Sequence, residues 1–138
     1  WPLTPSKTVT VWLAIDDTDI ENSAMKLIPK SHLYGQINYQ HSTPEEQNVL
    51  NQTVNSPENY GGSPVYVELK SGQISLHSDL ILRGSDPNLS NRRRCGLTMR
   101  FAPPEVKTYH GWNQNAVICR GTDSTNHWIN NPRPSKSE

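Results

Sequence analysis

Three clusters in this sequence hold side chains able to do chemistry. The first is the run Arg92-Arg93-Arg94, which leads into Cys95-Gly96-Leu97-Thr98-Met99-Arg100-Phe101. On its own a triple arginine at a turn reads as a solvated charge cluster, although a planar guanidinium is also suited to pair with a carboxylate through two parallel N–H donors. The second cluster is Leu82-Arg83-Gly84-Ser85-Asp86-Pro87-Asn88, a turn whose Ser85 offers a hydroxyl and whose Arg83 offers a second cation. The third is His77-Ser78-Asp79, whose alternate residues project to one side of an extended strand. Local metal chelation by His77 and Asp79 is then open, against a plain reading of His77 as a polar residue near a barrel mouth. His32 follows Pro29-Lys30-Ser31 and reads as a turn brace; His41, His110 and His127 sit in polar, loop-like contexts without ligand spacing.

The elements that must position these groups read as short strands. Thr8 to Ile15 alternates strictly, with Val9, Val11, Leu13 and Ile15 on one face and Thr10, Trp12 and Ala14 on the other. Asp16-Asp17-Thr18-Asp19 ends it with turn chemistry. Further strands are expected over Ala24–Ile28, Val65–Leu69, Ile74–His77, Leu80–Arg83 and Cys95–Phe101, with one more between Tyr109 and Cys119. Lys70-Ser71-Gly72-Gln73 reads as a tight turn into Ile74-Ser75-Leu76-His77. In the strand after the arginines, Arg94, Gly96, Thr98 and Arg100 share a face that can line a hollow, while Leu97, Met99 and Phe101 pack on the opposite side. Residues 35–64 are rich in Gln, Asn, Ser, Thr and Pro without a sustained period, and read as a long insertion loop or lid with one helical turn begun at Thr43-Pro44-Glu45-Glu46. From Gly121 onward the chain is a polar tail with Pro132 and Pro134. Many short strands, Gly/Pro/Asn turns and no long helix indicate an all-β antiparallel sandwich or barrel.

Composition narrows the partners. The chain has 138 residues, 33% hydrophobic, with 13 basic and 13 acidic residues. That length allows one domain with a modest core, and zero net charge argues against nucleic acid or a membrane surface as a general partner. No apolar run approaches the ~20 residues of a membrane span. No signal-peptide pattern opens the chain, and Cys95 and Cys119 read as buried or half-buried thiols of a cytoplasmic protein rather than a disulfide.

Several blocks, in order, resemble one family. Pro2, Pro5-Ser6 and Val11-Trp12-Leu13-Ala14 come first. Asp16-Asp17, Glu21-Asn22, Leu27-Ile28-Pro29 and Ser31-His32 follow. Gly72-Gln73, Leu76-His77, Gly84-Ser85, Pro87-Asn88 and Arg94 close the series. Together they resemble the C-terminal core of the phytanoyl-CoA dioxygenase family, iron(II)- and 2-oxoglutarate-dependent oxygenases built on a jelly roll. The resemblance implies a double-stranded β-helix of cupin-like type over residues 1–120, incomplete at its N-terminus, followed by the tail 121–138. In the family two histidines and a carboxylate hold Fe(II), 2-oxoglutarate chelates it through its 2-oxo and C1 carboxylate groups, and an arginine takes the C5 carboxylate. By resemblance Arg94 is that arginine, Ser85 adds a hydroxyl beside it, and Trp12 presents an aromatic wall.

Two departures shape the expectation. The place of the family's distal histidine holds Arg83, whose guanidinium has no lone pair for a metal. The chain opens on Trp1-Pro2-Leu3 without an initiator Met and without the family's upstream His-x-Asp, and so reads as a fragment or a truncated reading frame. The expected chain therefore descends from oxygenases acting on a small organic substrate but binds no iron at the family site and turns nothing over alone. The alternatives are a non-catalytic jelly-roll module that binds a carboxylate, or a fragment stabilised as a homo-oligomer through exposed strand edges.

Overall fold

The alternation read in the sequence builds the central strand of the molecule. In the computed structural model, which describes residues 2–46 and 51–131, that strand is β2, Val9–Ala14. It follows a two-residue strand β1, Leu3–Thr4, and precedes β3 (Met25–Leu27), β4 (Val65–Val67) and β5 (Ile74–Ser78). Strands β6 (Arg83–Ser85), β7 (Gly96–Phe101) and β8 (Lys107–Thr108) complete the described set. Among the described residues the strand pairings are antiparallel and fall into three sheets: β5-β2-β7, β4-β3-β6 and the small pair β1-β8. Helical structure among the described residues is confined to four 3-10 turns, including the expected one at Pro44–Glu46. The all-β architecture is as expected; no closed barrel forms.

The expected Lys70–Gln73 turn is present, with Gln73 N–H donating to Lys70 O at 2.9 Å, and the strands on its two sides, β4 and β5, belong to different sheets. Two local expectations need correction. Leu80–Leu82 is a turn, and the strand begins at Arg83. The reason is local hydrogen bonding: Leu80 N–H donates to the Ser78 hydroxyl, Ile81 N–H to Ser78 O, and Leu82 N–H to the fully buried Ser31 hydroxyl. Between Tyr109 and Cys119 there is a 3-10 turn, Trp112–Asn115, instead of a strand; pairing occurs earlier, at Lys107–Thr108.

The apolar side of β7, expected to pack away from the hollow, is not covered, with Leu97 and Phe101 exposed. The inner face of β2 carries Thr8, Thr10, Trp12 and Ala14, all buried. The aliphatic side of the sheet is open instead. Across it run the rows Leu76-Val11-Met99 and Ile74-Leu13-Leu97, with Val9 beside Phe101. Leu76 is 63% exposed and Leu97 50%. The buried apolar set is correspondingly small: Trp12, Ala14, Ala24, Ile28 and Val106. The accessible surface, 9975 Å², exceeds the roughly 7,200 Å² of a compact monomer of this mass.

The tail turns back onto the body as far as Asn131, whose N–H donates to Ala116 O at 2.9 Å. His127 is half-buried and has a structural partner, its Nε2 accepting the Thr108 N–H at 2.9 Å. Asp123 organises this turn, and its carboxyl is held down to about 2 chiefly by the Thr125 hydroxyl and then the Trp128 N–H. Pro132 and Pro134 lie outside the described residues. Cys95 is a half-buried free thiol, while Cys119 is exposed rather than buried.

Candidate functional site

The three arginines of the run have different fates. Arg92 forks onto both oxygens of Asp19, at 2.9 and 2.7 Å, and reaches Glu21 at 3.2 Å. Arg93 forks onto both oxygens of Asp16 at 2.8 Å, and Asp16 also accepts the Cys95 N–H. Those pairs hold the Asp16 and Asp19 carboxyls below the usual carboxylate range. Arg94 is half-buried and makes no hydrogen bond or ion pair among the described residues. Pairing the first two arginines to the Asp16–Asp19 turn anchors the root of β7 and leaves the third guanidinium available.

Trp12 and Gly96 explain each other. Trp12 is 9% exposed on the inner face of β2, and a Cβ on Gly96 would overlap its indole ring. Glycine is therefore required where β7 passes the indole, two residues after Arg94. Trp12 is thus a core aromatic, packed against β7 at Gly96. Ser85 lies in β6 opposite Met25; its side chain is exposed and makes no hydrogen bond among the described residues. The neighbouring Asp86 receives Lys26 Nζ and, at 2.8 Å, the Tyr66 hydroxyl, while its backbone oxygen accepts the Ser23 hydroxyl. Those contacts fix the end of β6 to β3 and β4, and nothing in local sequence announced them.

The other end of the inner face holds His77, Thr10 and Arg100 in one row across β5, β2 and β7. Just past β5, the Asp79 carboxylate lies 3.0 Å from Arg100 Nε and accepts the Thr10 hydroxyl at 3.3 Å. Burial, reinforced by the Arg83 cation, pushes His77 below its ordinary value, so the ring is neutral at pH 7. Burial likewise lowers Arg100, opposed by its attraction to Asp79. Arg83 Nη1 donates to Asp79 O and Ile81 O at 3.5 and 3.4 Å.

These residues do not fit an iron ion. Arg83 offers no lone pair, Asp79 is occupied by Arg100 and Thr10, and no group of three or more His, Cys, Asp or Glu among the described residues is placed to hold a metal. His77 and Asp79 share a side, but only His77 retains a free ring nitrogen.

Comparison with known proteins gives consistent matches. The sequence model of the family described as Phytanoyl-CoA dioxygenase (PhyH) matches residues 1–96. The phytanoyl-CoA dioxygenase domain-containing protein 1 homolog of Dictyostelium discoideum is 29% identical over 122 residues, covering 85% of this chain and 43% of that protein. Among solved structures, the apo form of the non-heme monooxygenase ThoJ superposes with a TM-score of 0.75 at 25% identity, over 96% of this chain and 47% of that one. Its nickel complex gives 0.70 at 26% identity, over 96% and 45%. The epimerase SnoN in complex with Fe3+, alpha ketoglutarate and nogalamycin RO gives 0.64 at 16% identity, over 96% and 51%, a likeness of fold alone. The chain thus spans about half the length of the relatives it matches or less, and its all-β arrangement is that of the cupin-like oxygenases.

Proposed function

The chain belongs to the phytanoyl-CoA dioxygenase family, and from that premise we propose that it grips a 2-oxoglutarate-type dicarboxylate through Arg94 without holding Fe(II) at the distal position. The observation that carries this reading is the isolation of Arg94. Its two neighbours are consumed by Asp19, Glu21 and Asp16, whereas Arg94 is half-buried without a counter-charge among the described residues. A partly desolvated guanidinium gains most from a carboxylate that brings two acceptors in one plane. Trp12 supplies a flat wall near the same end of the sheet, and the exposed Ser85 hydroxyl is a second donor. Arg83 stands against the iron-dependent reading, because a fixed cation repels Fe(II) and contributes no ligand. The test is succinate release from 2-oxoglutarate with added Fe(II). None above the protein-free rate is expected; turnover that scales with the concentration of this chain would overturn the reading.

We also propose that two copies associate through the open face of β5-β2-β7. No charged residue lies among Ile74, Leu76, Val9, Val11, Leu13, Leu97, Met99 and Phe101, and an open groove of about 550 Å³ between Val9, Phe101 and Pro103 extends the patch. Monomers rarely leave an apolar face of this kind in water. A second copy presents a face of the same character, which suits face-to-face sheet packing about a two-fold axis.

A further inference from the structure

The two donors assigned to the dicarboxylate come from different sheets. Ser85 closes β6, and Arg94 stands two residues before β7. Among the described residues no ladder joins β6 to β7, so strand register does not set the spacing of the two side chains. A site that uses both needs a brace of its own, because preorganised donors bind more tightly than mobile ones.

That brace is the dipeptide Asn22-Ser23, in the turn before β3. Asn22 is 1% exposed and Ser23 4%. The Asn22 side-chain amide donates to Asp17 O at 2.9 Å and to Arg93 O at 3.4 Å, while its Oδ1 accepts the Asp19 N–H at 2.8 Å. The Ser23 hydroxyl donates to Asp86 O. The carbonyls at the far ends of the brace thus belong to the residue just before Arg94 and the residue just after Ser85. Asn22 and Ser23 are consecutive, with Cα atoms ~3.8 Å apart, so neither turn leaves the other without breaking one of these bonds.

Two details fit a brace built for Ser85. The Asp86 carboxylate is held by Lys26 and Tyr66, whose register places them beside Gly84 rather than Ser85. Alternation therefore keeps those contacts on the other side of β6 from the Ser85 hydroxyl. Ser23 also has φ 75°, in the left-handed region that glycine adopts without strain. A turn that needed only its backbone shape would be served by glycine; the hydroxyl is what serine adds.

We propose, resting on the Arg94 reading, that Asn22 and Ser23 are positioning residues of the dicarboxylate site. Asn22 sets Arg94 through the Arg93 carbonyl, and Ser23 sets Ser85 through the Asp86 carbonyl, so that both donors close on one carboxylate. Neither residue touches the ligand.

The test is a double-mutant cycle on 2-oxoglutarate affinity, measured in the full chain with a chelator present. Ser85→Ala should weaken binding about tenfold, the scale of one hydrogen bond to a charged group. Ser23→Gly should weaken it by about threefold or more while the urea midpoint stays near the parent's, because relief of the positive φ offsets the lost hydrogen bond. In the Ser85→Ala background Ser23→Gly should change affinity no further, since a residue acting through Ser85 has nothing left to place. Asn22→Ala should also weaken binding, and the Ser23 cycle decides the matter if that buried amide proves necessary for folding. Unchanged affinity in Ser23→Gly, or the same loss with and without Ser85, would overturn the positioning role and leave Arg94-dependent binding in place. No binding by the parent, or binding indifferent to Arg94→Ala, would overturn both.

Discussion

The Asp79 carboxylate meets the Arg100 guanidinium at 3.0 Å, with the two side chains 6% and 18% exposed, so the pair ties the end of β5 to β7 from inside the fold. Thr10 of β2 joins them. Removing Arg100 leaves the buried Asp79 carboxylate without its cation, which costs about 3–5 kcal/mol, whereas replacing both with apolar groups costs much less. Arg100→Met should therefore destabilise the chain by about 3 kcal/mol in urea unfolding. The double variant Asp79→Leu/Arg100→Met should recover most of that loss.

The contact between Gly96 and Trp12 makes an equally specific demand. A methyl group at Gly96 must displace the indole, while at Gly84 a Cβ meets nothing within 4 Å. Gly96→Ala should cost about 2 kcal/mol, in the range of overpacked sites, and should shift the Trp12 indole resonance. Gly84→Ala should leave that resonance in place. Denaturant midpoints and a spectrum of the Trp12 Nε1–H check both.

His77 sets a pH dependence. Its folded value lies below the ordinary 6.5, with burial as the main cause, so the unfolded chain binds the proton more readily. Stability must then rise with pH between the lowered folded value and about 6.5, and this contribution is flat above that. Urea midpoints measured from about pH 5 to pH 8 should show this slope. His77→Asn should flatten it, which a merely structural defect would not do.

The open apolar face predicts association. Light scattering should give a mass above that of one chain, rising with concentration. Leu76→Lys, placed in the middle of the face at a site 63% exposed, should return the chain to a monomer without loss of secondary structure. A parent chain that stays monomeric throughout would remove the dimer proposal.

Much of the strand pattern could be read from residue order, because strict alternation in Val9–Ala14 and Gly96–Phe101 leaves little choice of structure. The side buried could not. Period two says which residues share a face but not which face is covered, and here it is the side with Trp12. The fate of the arginine run was hidden for a related reason. Arg92 and Arg93 find their carboxylates more than 70 positions away in the chain, so no local pattern separates them from Arg94. Leu80–Leu82 has strand-like residues, but the Ser31 and Ser78 hydroxyls take its amides, a tertiary effect that overrides propensity. Arg83, by contrast, was conspicuous because a family pattern sets a histidine in its place.

One titration bears most directly on the account. 2-Oxoglutarate is added in the presence of a chelator while the Trp12 indole Nε1–H resonance is followed, with the parent compared against Arg94→Ala and Arg92→Ala. A saturable shift without metal that survives Arg92→Ala and disappears in Arg94→Ala is the predicted result. A shift that requires Fe(II), or one that persists unchanged in Arg94→Ala, would contradict it.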